Sequence, residues 1–284
     1  MYIGLDIGGT NIRVGAVNNN EITYSYKEKT LDNVSNVDEL YIKIIRLIEN
    51  VPNYKNANAI GISVAGSVDN KTSNIVTSKN LSMLINYPLK TKLEKHFNIN
   101  VFIENDAKVI GLAESILGKG KDYNIVCYIT ISTGCGGAFI VNKKIYTGSN
   151  NFGGYIPRII LDGKNTSDNL LSGRAMYENA KELLNINEVK DIFDLYRNNN
   201  EIAKKIVDDF KNNLLVLLLN VSATLNPDII ILGGSMLNDS DVYLDEVKKM
   251  YYDNIHPLAK NTIIDVSTLK DAGILGACLL ANNK

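Results

Sequence analysis

Apolar positions along this chain alternate between two periods, and their order outlines a fold. Short β-branched runs predict strands near residues 2–7, 12–18, 22–27, 58–64, 101–104, 124–132, 136–141, 228–232 and 262–267. Longer stretches with helical spacing predict helices near 37–50, 107–117, 171–184, 201–225, 241–252 and 272–282. Within 201–225, the series Ile202, Ile206, Phe210, Leu214 and Leu217 marks the face expected to pack on a sheet. Asn198-Asn199-Asn200 reads as a local loop. Strands alternating with helices across short turns imply an α/β protein whose mixed sheets are covered by helices.

Three of the expected strands end in glycine turns. Asp6-Ile7-Gly8-Gly9-Thr10-Asn11 joins the first strand to the second. Gly8 and Gly9 can take positive φ and carry no Cβ, so peptide N–H groups and the Thr10 hydroxyl can approach phosphate oxygens. Asp6 stands where a carboxylate is most useful for holding hydrated Mg²⁺. An ordinary hairpin with a Gly-Gly turn fits the same residues. The pattern recurs when the apolar run Asn124–Ser132 breaks at Thr133-Gly134-Cys135-Gly136-Gly137 and resumes as Ala138–Val141. Two such hairpins suggest an internal duplication with two phosphate loops facing one ATP across a cleft. A third apolar strand runs into Gly233-Gly234 ahead of a helix, which suits adenine or ribose against backbone.

With these motifs in this order, the chain resembles the ROK family (repressors, open reading frames, kinases) of the sugar kinase, Hsp70 and actin-like ATPase superfamily, over essentially its whole length. Asp6–Arg13, including Asn11, matches the family's first phosphate loop, and Gly61–Asp69, with Gly66, its early sugar-side loop. Glu104-Asn105-Asp106-Ala107 matches the catalytic segment, Ser132–Ala138 the second phosphate loop, and Asp271–Ala277 the closing helix. The resemblance implies a two-domain actin-like ATPase fold with ATP and sugar in the interdomain cleft. A smaller domain would span 1–118 and regain the helix 272–284, and a larger one would span 119–271, with the break at Gly118-Lys119-Gly120. It also implies ATP and Mg²⁺ as cofactors, the metal held through Asp6 and ATP, and a homodimer, since family members often are dimers.

Phosphoryl transfer to an alcohol needs in-line positioning, charge neutralisation and a base for the hydroxyl proton. The strand ending at Glu104 carries Asn105 and Asp106 to its carboxyl end, the usual ligand edge of an α/β sheet. Asp106 is the expected base and Asn105 the expected partner of sugar hydroxyls. Either could instead cap the helix that follows.

One stretch departs from the family. Most ROK kinases carry a Glu-x-Gly-His sugar motif followed by a cysteine-rich zinc loop, whereas Gly148–Asp168 contains neither cysteine nor histidine. His96 and His256 lie far off in sequence, so no structural zinc is expected. An ungapped alignment puts Tyr155 in the glutamate's place and Arg158 in the histidine's; matching Gly154-Tyr155 to Gly-His puts Tyr155 in the histidine's place and Phe152 in the glutamate's. Tyr155 falls near the sugar either way, by hydrogen bonding or by stacking. Packing within the loop is the other reading for Tyr155 and Arg158. Asp168 aligns with a second sugar-binding glutamate or serves as a helix N-cap.

Loss of the zinc loop resembles the zinc-free N-acetylmannosamine kinases and the β-glucoside kinases. The expectation is ATP-dependent phosphorylation of a hexose or N-acetylhexosamine, at its 6-OH, in the manner of N-acetylmannosamine kinase. Glucokinase and β-glucoside kinase are the alternatives, and a non-catalytic ROK sugar sensor or regulator is the alternative of another class. Regulators of the family carry a helix-turn-helix ahead of the first phosphate loop, which here begins near residue 2. A net charge of −1 across 284 residues offers no footprint for nucleic acid or a membrane surface. The run Leu214–Leu219 is far too short to span a bilayer. Met1 leads straight into a strand, so no signal peptide is expected. Cys127, Cys135 and Cys278 lack disulfide or zinc spacing, in keeping with a reducing cytoplasm.

Overall fold

The alternating N-terminal pattern folds as β1 (Tyr2–Ile7), in which Ile3, Leu5 and Ile7 are fully buried. The computed structural model describes residues 1–282, and the chain divides into two units. Unit 1 holds Met1–Leu117, the excursion Thr147–Phe152, and the chain from Leu269 on; unit 2 holds Gly118–Tyr146 and Gly153–Thr268. A division by chain position at residue 118 does not anticipate the excursion.

In unit 1, β1 is followed by β2 (Asn11–Asn18), β3 (Glu21–Lys29), α1 (Val37–Glu49) and β4 (Ala59–Val64). The small hairpin β5 (Ser67–Val68) and β6 (Ile75–Thr77) precedes α2 (Leu89–Phe97), β7 (Asn100–Asn105) and α3 (Asp106–Ile116). The sheet runs β3-β2-β1-β4-β7, with the first three strands antiparallel and β4 and β7 parallel to β1. Every residue of β4 is buried, as expected of a parallel strand covered on both faces.

Unit 2 contains β8 (Ile125–Ile131), β9 (Cys135–Val141), β10 (Lys144–Ile145), α4 (Ser167–Leu171), α5 (Gly173–Leu184) and α6 (Lys190–Arg197). Then come α7 (Glu201–Leu225), β11 (Ile229–Gly233), α8 (Leu244–Asn254) and β12 (Ile263–Val266). Its sheet runs β10-β9-β8-β11-β12, again a three-stranded antiparallel meander continued by two parallel strands. The two sheets therefore share one strand order. Finally α9 (Ala272–Asn282) returns to unit 1 and packs on β1, β4, β7 and α3. It is buried from Ala272 to Ala281, and a Cβ on Gly61 would lie only 1.7 Å from the Ala277 carbonyl oxygen.

The structure shifts the predicted pattern in three places. The buried stripe of α7 is Ala203, Val207, Phe210, Leu214, Leu217, Leu218 and Val221, while Ile202 is exposed. α8 starts at Leu244, not 241, because 3₁₀ turns over Ser235–Val242 precede it and Asp239 is not helical. α2, α4, α6, β10 and the β5–β6 hairpin were not foreseen. α2 buries only Leu89 and Leu93 among charged neighbours, and β5 and β6 are two and three residues long, too short for a period to register.

Candidate functional site

The predicted site residues fall on both units. At the carboxyl end of β1 the chain turns through Gly8-Gly9-Thr10, and neither glycine uses the positive φ expected of it. Glycine supplies room instead. A Cβ on Gly9 would stand 2.4 Å from the Cβ of Asn80. The Gly8 N–H donates to the Asn11 carbonyl at 3.0 Å, whereas the Gly9 and Thr10 N–H groups have no partner among the described residues. Two adjacent amides left open in a turn can bind an anion.

Asp6 closes β1. Its Oδ1 accepts the Ser63 hydroxyl at 3.0 Å, and Arg13 reaches its Oδ2 at 3.4 Å and Asp271 at 3.5 Å. Burial raises the Asp6 carboxyl above the usual carboxylate range, against the pull of Arg13.

Asn105 ends β7 and Asp106 opens α3, which fixes which of the two caps the helix. Asn105 is the N-cap: its Oδ1 accepts the Lys108 N–H at 3.2 Å. Its Nδ2 donates to the Gly66 carbonyl at 3.0 Å and to Asp106 Oδ1 at 2.9 Å. Asn105 therefore has no amide hydrogen left for a sugar hydroxyl, only acceptor capacity. Gly66 likewise spends its N–H on the Val64 carbonyl at 2.9 Å and accepts from Asn105 on its carbonyl, so it too keeps only acceptor capacity.

Asp106 is arranged differently. Oδ1 accepts from Asn105 and from the Ala107 N–H at 2.8 Å, while no other described residue donates to Oδ2. Burial, and then the Asp6 charge, push its carboxyl up to about 6. One oxygen is fixed and the other is open, on a group poised near neutrality.

A buried polar network behind Asp106 was not read from the sequence. Lys108, 1% exposed, donates to both the backbone oxygen and Oδ1 of Asn151 at 2.7 Å. Asn151 Nδ2 donates to the Val68 carbonyl at 2.8 Å and to Glu104 at 3.0 and 3.1 Å, and Glu104 accepts the Asn105 N–H at 2.8 Å. Burial lowers the Lys108 pKa. The available signal was a lysine inside the apolar run Ala107-Lys108-Val109-Ile110.

In unit 2, the turn after β8 carries Thr133 and Gly134. The Ser132 and Thr133 carbonyls accept the Gly173 and Arg174 N–H groups at 2.8 and 3.2 Å. A Cβ on Gly134 would sit 3.4 Å from Asp168, an ordinary contact, so no crowding demands glycine there. Gly233 packs on the Tyr128 ring, and Gly234, at φ 96°, would place a Cβ 2.2 Å from the Ile131 carbonyl oxygen. The Ser132 and Ser235 hydroxyls, 2.8 Å apart, tie the ends of β8 and β11 together.

Asp168 is not a helix N-cap. Thr166 caps α4 through a capping box with Asn169, and Asp168 follows in the first turn. Its Oδ1 accepts the Cys135 N–H at 2.9 Å and its Oδ2 meets Arg174 at 3.0 Å, so both oxygens brace the second glycine turn. Tyr155 is half-buried ahead of a 3₁₀ turn over Ile156–Arg158, and Arg158 is exposed with no ion pair among the described residues. Among the described residues no three His, Cys, Asp or Glu side chains gather to hold a metal.

A profile of the ROK family matches residues 2–284. The chain belongs to the ROK family. An N-acetylmannosamine kinase of Haemophilus influenzae is 27% identical over 97% of this chain and 93% of its own. A ROK glucokinase from Streptomyces griseus, solved with glucose and AMPPNP, superposes with a TM-score of 0.78 at 25% identity, covering 100% of this chain and 99% of its own. A ROK hexokinase from Thermus thermophilus superposes with a TM-score of 0.87 at 22% identity, covering 98% and 97%. The fold is thus the actin-like ATPase fold of ROK kinases, with one glycine-turn hairpin opening each sheet. No helix among the described residues is long and apolar enough to cross a membrane.

Proposed function

We propose that this ROK protein transfers the γ-phosphoryl group of ATP to a hydroxyl of a hexose or N-acetylhexosamine, acting like an N-acetylmannosamine kinase at the 6-OH. The observation that carries the reading is Asp106: a half-buried carboxylate at a strand's carboxyl end, with Oδ1 held by two donors, Oδ2 open, and a pKa raised to about 6. Oδ2 accepts the proton of the attacking hydroxyl, an effect on the order of 10²–10⁴-fold. The Gly9 and Thr10 amides, with the second turn at Thr133-Gly134, bind phosphate oxygens, and Gly233-Gly234 flanks the nucleoside. Asn11 and Arg13 complete the first loop.

Mg²⁺ neutralises phosphate charge when bound. The donor set fits that ion, because Mg²⁺ keeps most of its waters and needs only one or two carboxylates besides the phosphates. Asp6 is the carboxylate available, oriented by Ser63 and Arg13.

For the sugar, Tyr155 stands where the family has Glu or His, with Arg158 or Phe152 filling the other place according to the alignment. Asp168, which already accepts from the Cys135 N–H and Arg174, keeps acceptor capacity for a sugar hydroxyl in place of the missing glutamate. Weak acceptors for the anomeric and 2-position hydroxyls favour a 2-acetamido sugar over glucose. A cytoplasmic location belongs to the same reading. ADP release would be followed with Mg·ATP and N-acetylmannosamine, N-acetylglucosamine, glucose, mannose, fructose, allose and cellobiose. The expected result is the highest kcat/KM on N-acetylmannosamine. Glucose as best substrate would replace that choice with glucokinase. No turnover, with thermal stabilisation by one sugar, would replace the kinase with a sensor.

A further inference from the structure

We propose that Thr30 and Lys43 are positioning residues for the nucleotide: together they aim the Gly9 amide of the first glycine turn at phosphate. This rests on the nucleotide-binding role proposed above. Thr30 is fully buried one residue beyond β3, far from Gly8 in sequence. Its hydroxyl donates to the Gly8 carbonyl at 2.6 Å, and its N–H donates to the Thr10 carbonyl at 3.1 Å.

The consequence follows from peptide geometry. A trans peptide is planar, so its C=O and N–H point in opposite directions. No peptide among the described residues is cis. The Gly8 carbonyl shares its plane with the Gly9 N–H, and a hydroxyl holding that oxygen on one side fixes the amide on the other. It also keeps the carbonyl dipole, which would repel phosphate, turned away.

Thr30 is in turn held by Lys43. The Lys43 side chain is only 10% exposed, and its ammonium donates to the carbonyls of Lys29, Thr30 and Asp32 at 3.0, 3.2 and 2.6 Å. Glu28 lies 3.7 Å from the same ammonium. Three carbonyls converging on one partly buried cation leave the segment after β3 little freedom.

Unit 2 solves the same problem with backbone. There the Gly173 and Arg174 N–H groups hold the Ser132 and Thr133 carbonyls. By the same geometry they orient the Thr133 and Gly134 amides. Both glycine turns thus have their carbonyls tied from behind, one by a side chain that substitution can remove.

The test uses Thr30→Val, which keeps the shape and the N–H bond but deletes the hydroxyl, with Thr30→Ser and Lys43→Met beside it. Mg·AMPPNP affinity is measured by calorimetry without sugar, and KM for ATP and for the sugar are measured separately. Thr30→Val should weaken Mg·AMPPNP about three- to tenfold, the worth of one hydrogen bond, with sugar KM within about twofold of wild type. Thr30→Ser should restore affinity, and Lys43→Met should weaken it about twofold or more. Unchanged Mg·AMPPNP affinity in Thr30→Val overturns the inference. So does a parallel rise in both KM values with a lowered Tm that serine does not rescue. Wild type that binds no Mg·AMPPNP would instead overturn the nucleotide-binding role itself.

Discussion

Replacing Asp106 by asparagine should cut turnover by orders of magnitude and make the protein more stable, a pairing that a merely structural aspartate would not give. Its carboxyl titrates at about 6 in the folded chain against an ordinary value of 3.8. A gap of about 2 pKa units costs the native state about 3 kcal/mol at neutral pH, an order-of-magnitude figure. The sign follows from proton binding. Between about pH 4 and 6 the folded state holds the proton more tightly, so stability falls as pH rises through that window, and the cost is complete above it. Below about pH 4 both states are protonated and the cost is absent. Asparagine keeps an Oδ1 acceptor for the Ala107 N–H and for Asn105 but carries no charge beside Asp6. Urea unfolding near pH 7 should therefore show Asp106→Asn more stable by about 1–3 kcal/mol, with the gain vanishing near pH 4. Its kcat should fall on the order of 10²–10⁴-fold. In the wild type, kcat/KM should drop about tenfold per pH unit below 6, and Asp6→Asn should move that limb to lower pH by removing a repelling charge. An Asp106→Asn protein no more stable than wild type at pH 7 would refute the reasoning.

Gly9→Ala places a methyl against the Asn80 side chain, so the turn must shift; KM for ATP should rise by about tenfold or more with little change in sugar KM. Asn151→Ala strips the amide that joins Lys108 to Glu104 and should lower stability by about 1–3 kcal/mol, read from the urea midpoint. The thiols of Cys127, Cys135 and Cys278 are buried, and burial pushes all three pKa values up, those of Cys135 and Cys278 to about 12. A thiol reagent near pH 8 should leave the native protein unmodified for hours and titrate all three on unfolding; rapid native labelling would contradict that burial.

Much of the site was legible because glycine, aspartate and asparagine are informative where they interrupt apolar runs. Asp6, Gly8, Gly9 and Thr10 stood out at the end of a strand, and Asn105-Asp106 at the end of another. What each does was not legible. Asn105 and Asp106 are both good N-caps, and only the path of β7 into α3 shows that Asn105 caps while Asp106 keeps an open oxygen. Asp168 read as a sugar ligand or a cap; the cap is Thr166, and Asp168 meets the Cys135 amide and Arg174. Thr30 and Lys43 carried no signal at all, since a threonine after a strand and a lysine on an amphipathic helix are unremarkable until the fold brings Gly8 beside them.

The sequence by itself determined the order and kind of the elements, the repeated glycine-turn hairpin and the membership in the ROK family. Those depend on periodicity and local backbone preference, which act over a few residues. Tertiary structure alone decided which carbonyls are tied back, which amides stay open and which carboxylate stays poised near neutral pH. Those depend on groups tens to hundreds of residues apart meeting within about 3 Å, the range over which hydrogen bonding and desolvation act.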